Sequence, residues 1–99
     1  MTLKDILRIP DSVDARKIGD ETILLNLETG TYYGLDKVGS RFLELLEQNG
    51  EIAFAHLTML KEFDVKPEIL EDDILRLSEE MRSKGLLEAV SYSTAMRGA

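Results

Sequence analysis

The 99-residue chain contains no cysteine and a single histidine, His56. Without thiols, disulfides, thiolate metal sites and cysteine nucleophiles are all excluded. One histidine leaves no zinc cluster and no Ser/His/Asp set, so neither a catalytic residue nor a metal ligand is expected. Long apolar runs are missing too: none exceeds four residues, against the roughly 20 that span a bilayer. The N-terminal MTLKDILRIPD has no apolar signal core and carries acids, so neither secretion nor import is indicated. Basic charge is also short, with 12 Lys and Arg against 19 Asp and Glu, a net charge of −7. Nucleic-acid binders gather Lys and Arg to displace counterions from phosphates, and this chain as a whole repels phosphate. Together these absences point to a cytoplasmic protein that is not an enzyme, with no cofactor and with no membrane or nucleic-acid partner.

What is present is the balance of one globular domain, 43% hydrophobic and 31% charged. No repeat or linker interrupts it. Residues 1–12 read as a lead-in closed by Pro10, and 91–99 (SYSTAMRGA) lack periodicity and are expected to fray, leaving a core of about 13–90. Val13 to Ile18 is a candidate first strand, followed by a reversal at Gly19-Asp20. Ile23, Leu25 and Leu27 then alternate with Leu24 and Asn26, as in a strand with one buried face. After the turn Glu28-Thr29-Gly30, the β-branched and aromatic segment Thr31-Tyr32-Tyr33-Gly34-Leu35 makes a third strand. Tyr33 and Leu35 share one of its faces, Tyr32 and Gly34 the other. The simplest topology is an antiparallel meander.

From Asp36 the period becomes helical. Val38, Phe42, Leu45 and Leu46 form one stripe, stopped by Asn49-Gly50. A second helix is expected over about Ala53 to Phe63, with Phe54, Leu57, Met59, Leu60 and Phe63 apolar and His56 partly exposed. A third starts at Pro67, which suits a first helical turn, carries Ile69, Leu70, Ile74, Leu77 and Met81, and is closed by Gly85. Leu86 to Val90 then returns to the core as a short extended segment. The fold class is α+β: a three-stranded antiparallel sheet followed by a three-helix winged helix-turn-helix bundle.

In a winged helix the third helix would enter the major groove. Here it bears Glu68, Glu71, Asp72, Asp73, Glu79 and Glu80 against Arg76 and Arg82, which opposes direct readout of DNA. Adjacent acids such as Asp72 and Asp73 diverge by about 100° on a helix and read as solvated surface. The glycines form no phosphate loop, and Tyr32 and Tyr33 have no basic groove around them for stacking bases. What remains is the third strand, whose outer edge stays open unless the C-terminal segment covers it. An open edge accepts a partner strand. The third helix would form the other wall of a groove there, with Leu70, Ile74, Leu77 and Met81 serving either as core or as lining. Asp73 and Glu80 beside them suit a peptide with basic side chains.

The succession Ile23-Leu24-Leu25-Asn26-Leu27, Thr29-Gly30, Tyr32-Tyr33-Gly34-Leu35-Asp36, Gly39, Phe42-Leu43-Glu44-Leu45-Leu46 and Lys84-Gly85-Leu86-Leu87-Glu88 resembles the PqqD-like proteins over roughly residues 13–90. These include the chaperone of pyrroloquinoline quinone biosynthesis and the leader-binding proteins of lasso-peptide clusters, and the shared domain is called the RiPP recognition element. Leu43 departs from the pattern, since many members carry tryptophan there. The resemblance implies the fold derived above and binding of a precursor's leader peptide as a strand added to the third strand. Carried over, the strand contacts are Thr31, Tyr32, Tyr33, Gly34 and Leu35, and the helix contacts Leu70, Asp73, Ile74 and Leu77. The implied partners are the precursor and a maturation enzyme such as a radical SAM protein or a leader peptidase.

A different class also fits the residues: an acidic winged-helix module acting through protein–protein contacts in transcription regulation. An open third-strand edge favours leader binding, and a covered edge opposes it. The chain is expected to be a monomer or an edge-mediated dimer. If the N–H of Tyr33 faces the incoming strand, Tyr33→Pro abolishes binding, with Gly34→Pro as its control.

Overall fold

The change of hydrophobic period near Asp36 separates a strand half from a helical half, and both are present in a computed structural model that describes residues 1–90. In chain order the elements are β1 (Ile6–Arg8), β2 (Val13–Ile18), β3 (Glu21–Asn26), β4 (Tyr32–Leu35), α1 (Lys37–Gln48), α2 (Ile52–Glu62), α3 (Pro67–Ser83) and β5 (Glu88–Val90). The expected fraying of 91–99 lies outside the described residues.

β2, β3 and β4 form the antiparallel meander in that order. Gly30, at φ 76°, supplies the left-handed residue of the β3–β4 turn. The alternation along β3 is present, but its faces are exchanged. Thr22, Leu24 and Asn26 are buried, whereas Ile23 and Leu27 are exposed. Counting apolar side chains misjudges the face because Asn26 is fully partnered inside. Its Nδ2 donates to the Gly85 carbonyl at 3.0 Å, and its Oδ1 accepts from the N–H groups of Glu28 at 2.9 Å and Thr29 at 3.2 Å. A polar group so satisfied is accommodated in a core, and with period two it fixes the inward face of its whole strand.

α1 packs on that face, and α2 and α3 pack with α1. Asp36 caps α1 by accepting the Gly39 N–H at 2.8 Å, and Phe42, Leu43, Leu45 and Leu46 are buried. Leu43 is therefore a core residue. In α2 the buried residues are Ile52, Ala55, His56 and Met59, while Leu57, expected in the apolar set, is 61% exposed. His56 is 6% exposed rather than partly exposed, because its Nε2 lies 2.9 Å from the Pro67 carbonyl. A carbonyl only accepts, so Nε2 carries the proton and α2 is pinned to the start of α3. His56→Ala is expected to lower unfolding free energy by about 1–2 kcal/mol through the lost bond and contacts, measurable by denaturant titration. Along α3, Leu70, Ile74, Ser78 and Met81 are buried, and the Ser78 hydroxyl is satisfied by donating to the Ile74 carbonyl at 2.7 Å.

The C-terminal segment returns as expected, but as β5 it pairs with β1, a strand inside the sequence read as a lead-in. Three residues are too few to reveal a period, yet Leu7 of β1 is 1% exposed. Gly50 lets β1 approach: a Cβ there would lie 2.4 Å from the Leu7 carbonyl oxygen.

An ion-pair chain ties β2 to α1 and α2, with Lys17 Nζ 2.8 Å from Glu44 and Arg41 2.7 Å from Glu62. The Lys17 hydrogen bond, aided by Arg41, holds the Glu44 carboxyl below its ordinary value, and the Arg41 hydrogen bond does the same to Glu62. Carboxyls depressed in the folded state stabilise it above the ordinary Glu value, and that contribution is lost as pH falls through the depressed one. Arg41→Met should therefore show a modestly lower Tm than wild type at neutral pH, with the gap closing as pH falls below the ordinary Glu value. No helix among the described residues is long and apolar enough to cross a membrane.

Candidate functional site: an open strand edge facing a helix

Among the described residues, β4 is the terminal strand of its sheet, and β5 lies against β1 instead of covering it. The two ends of this sheet differ in chemistry. β2, at the other end, carries Asp14, Arg16 and Lys17 in six residues. β4 reads Tyr-Tyr-Gly-Leu, with neither charge nor proline. Charge on an edge strand deters further pairing, so only β2 is guarded in this way.

Register decides which β4 groups are available. The Asn26 N–H donates to the Thr31 carbonyl at 2.8 Å, and Leu24 is paired with Tyr33 and Thr22 with Leu35. In an antiparallel ladder such bonded pairs alternate with unbonded ones. Tyr33 and Leu35 therefore direct N–H and C=O toward β3, whereas Tyr32 and Gly34 direct theirs outward. The condition on Tyr33→Pro is not met, because the outward N–H groups belong to its two neighbours.

Side chains on the inner face of β4 meet α3 and the start of α1 across a groove of about 510 Å³. Tyr33, Gly34 and Leu35 line one side, and Asp73, Ile74 and Leu77 the other. Leu35 and Ile74 are nearly fully buried and make the floor, while Leu77 is half-buried above it. Val38, Gly39 and the buried Phe42 of α1 extend the floor together with Asp36, and Arg76 and Glu80 complete the α3 wall.

Of the nine residues expected from the sequence, six thus line the groove. Thr31 precedes β4, its carbonyl turned to Asn26 and its N–H held by the Thr29 hydroxyl at 3.2 Å. Tyr32 offers its backbone at the edge, but its side chain is 75% exposed on the opposite face of the sheet. Leu70 is core, 3% exposed; it lies one turn before Ile74, beyond the point where the groove ends at Asp73. Asp36, Val38, Gly39, Phe42, Arg76 and Glu80 complete the lining beyond those nine. On α3 a signal exists in the sequence, since 73, 76, 77 and 80 share one helical face. Val38 and Phe42 carry none, because a groove floor and a core stripe have the same spacing.

The rim is acidic. Burial raises the Tyr33 phenol above its ordinary value, and the carboxylates of Glu80 and then Asp36 raise it further. Lys84 Nζ stands 5.9 Å from the centroid of the Tyr33 ring, within cation–π range. Arg76 is drawn to Asp73 at 2.5 Å. Among the described residues, no group of three His, Cys, Asp or Glu could hold a metal ion. An uncharged strand edge, an apolar floor and a polar helical wall suit an extended peptide.

The family model described as coenzyme PQQ synthesis protein D (PqqD) matches residues 21–87, which include β3, β4 and all three helices. Two solved structures are similar. One is TbiB1 in complex with the TbiA(beta) leader peptide, 37% identical with a TM-score of 0.79, covering 85% of this chain and 98% of that one. The other is lasso peptide synthetase B1 complexed with the leader peptide, 18% identical with a TM-score of 0.75, covering 83% of this chain and 96% of its own; this second likeness concerns the fold alone. Among curated proteins, none matches. The matched span and the 37% identity over most of both chains establish that this chain belongs to the PqqD family of RiPP recognition elements.

Proposed function

We propose that this protein binds the leader segment of a ribosomally made precursor peptide and presents it to a separate modifying enzyme. The observation that carries the reading is the open, uncharged β4 edge forming one wall of an apolar-floored groove. Its 37% identical relative TbiB1, solved in complex with a leader peptide, supports it.

The leader adds as a fourth strand beside β4, exchanging backbone hydrogen bonds with Tyr32 and Gly34. Its inward side chains pack against Tyr33, Leu35, Ile74 and Leu77, and Asp73 meets it from the helix. No bond is made or broken by this domain. Its contribution is tethering: a held leader raises the effective concentration of the core peptide at a maturation enzyme, such as a radical SAM protein or a leader peptidase. The work takes place in the cytoplasm, where such precursors are synthesised. The acidic α3 has no basic surface for DNA, and the transcriptional reading gains nothing from the open edge.

Fluorescence anisotropy with the labelled leader encoded nearest this gene tests the proposal. Saturable one-to-one binding is the expected result. A folded protein that leaves the leader free at millimolar concentration would contradict it.

A further inference from the structure

We propose that the groove selects cationic leaders, with a lysine or arginine of the added strand lying over Tyr33 between the carboxylates of Asp36 and Glu80. This rests on the leader-binding reading and adds to it the charge of the ligand. The two carboxylates belong to opposite walls, Asp36 at the end of β4 and Glu80 on α3, and both line the groove with Tyr33. Burial raises the Tyr33 phenol above its ordinary value, and Glu80 and Asp36 act in the same direction.

Protein cations do not neutralise this pair. Among the described residues, neither Asp36 nor Glu80 forms a salt bridge, whereas Arg76 is committed to Asp73 and Arg82 to Glu79. The cap bond to the Gly39 N–H fixes the Asp36 carboxylate in place. Lys84 Nζ stands over the Tyr33 ring without a salt bridge to either acid among the described residues, so a leader cation takes its place on that face. The floor of Leu35, Phe42 and Ile74 suits the methylene stem of lysine or arginine, whose charged head then reaches the rim. At longer range, the chain's net charge of −7 attracts a cationic peptide and repels an acidic one.

The test selects randomised displayed peptides of about a dozen residues on the intact protein, then measures affinities of the enriched sequences and of the leader encoded nearest the gene. Enrichment of Lys and Arg over Asp and Glu is expected. Affinity should fall several-fold as NaCl rises from about 0.05 to 0.5 M, since screening shortens the reach of exposed charges. Glu80→Gln should weaken a selected cationic peptide by roughly three- to ten-fold and leave its lysine-to-norleucine analogue unchanged. Glu80→Lys, at an exposed position that leaves the fold intact by circular dichroism, should shift selection toward acidic peptides. Neutral or acidic peptides bound in the groove without salt dependence would overturn the charge inference and leave leader binding standing. Binding by neither the library nor the leader would overturn both.

Discussion

Gly34→Pro is expected to abolish leader binding while leaving the domain folded. The Gly34 N–H points away from β3, so proline removes no bond of the native sheet, and its ring projects into the space an added strand must occupy. Tyr33, the preceding residue, is already extended in β4, as proline requires of its neighbour. Losing one strand-to-strand hydrogen bond and meeting the ring should raise Kd at least about 100-fold, or roughly 3 kcal/mol. Gly34→Ala is the control, since a Cβ at this position meets nothing within 4 Å, and its affinity should match wild type. Tyr33→Pro behaves differently: it deletes a donor facing Leu24, so it damages the sheet and reports on folding. Calorimetric titration of the three variants, with circular dichroism of each, separates the cases. Wild-type affinity in folded Gly34→Pro would place the leader elsewhere.

Asn26→Ala should produce the largest loss of stability, about 2–3 kcal/mol, and lower Tm by roughly 10–20 °C in a domain of this size. One side chain, 6% exposed, joins the turn that launches β4 to the turn that follows α3, through bonds to Glu28, Thr29 and Gly85. Alanine leaves the Gly85 carbonyl without its donor and opens a small void under the sheet. Asn26→Asp keeps the acceptor for the two turn N–H groups but sets a carboxylate against that carbonyl. It should be no milder than alanine at neutral pH, and should recover as pH falls and the carboxyl gains a proton to donate. A thermal melt of both variants at two pH values checks this. A change under about 0.5 kcal/mol for Asn26→Ala, the size of ordinary surface substitutions, would contradict the role given to this residue.

The same residue explains much of what the sequence does and does not disclose. Alternation from Val13 to Leu35 and the glycine at position 30 make the meander legible, and the apolar stripes of Phe42 to Leu46 and Leu70 to Met81 make the helices legible. Which face of β3 turns inward depends on the partners of one asparagine, and those include Gly85, 59 residues away. The burial of His56 is hidden for a like reason, its partner being the backbone of Pro67 on the next helix. β1 escapes notice because three residues carry no period, and its burial depends on a close approach at Gly50. The groove is half legible: Tyr33, Gly34 and Leu35 follow from the strand, and Asp73, Ile74 and Leu77 from the helix. Sequence places Leu70 there as well, because positions one helical turn apart look alike until the length of the facing strand is known. The direction of each β4 N–H depends on which residues close the hairpin, a matter of register that composition does not carry.

The central claim is that the leader pairs with the outer edge of β4, and amide hydrogen exchange read by NMR tests it most directly. In the free protein, the Tyr33 and Leu35 amides should be protected by β3, while those of Tyr32 and Gly34 exchange rapidly. With the leader at saturation, Tyr32 and Gly34 should become protected, and resonances along α3 from Asp73 to Glu80 should shift. A bound leader that leaves the Tyr32 and Gly34 amides exchanging as in the free protein would contradict strand addition at this edge.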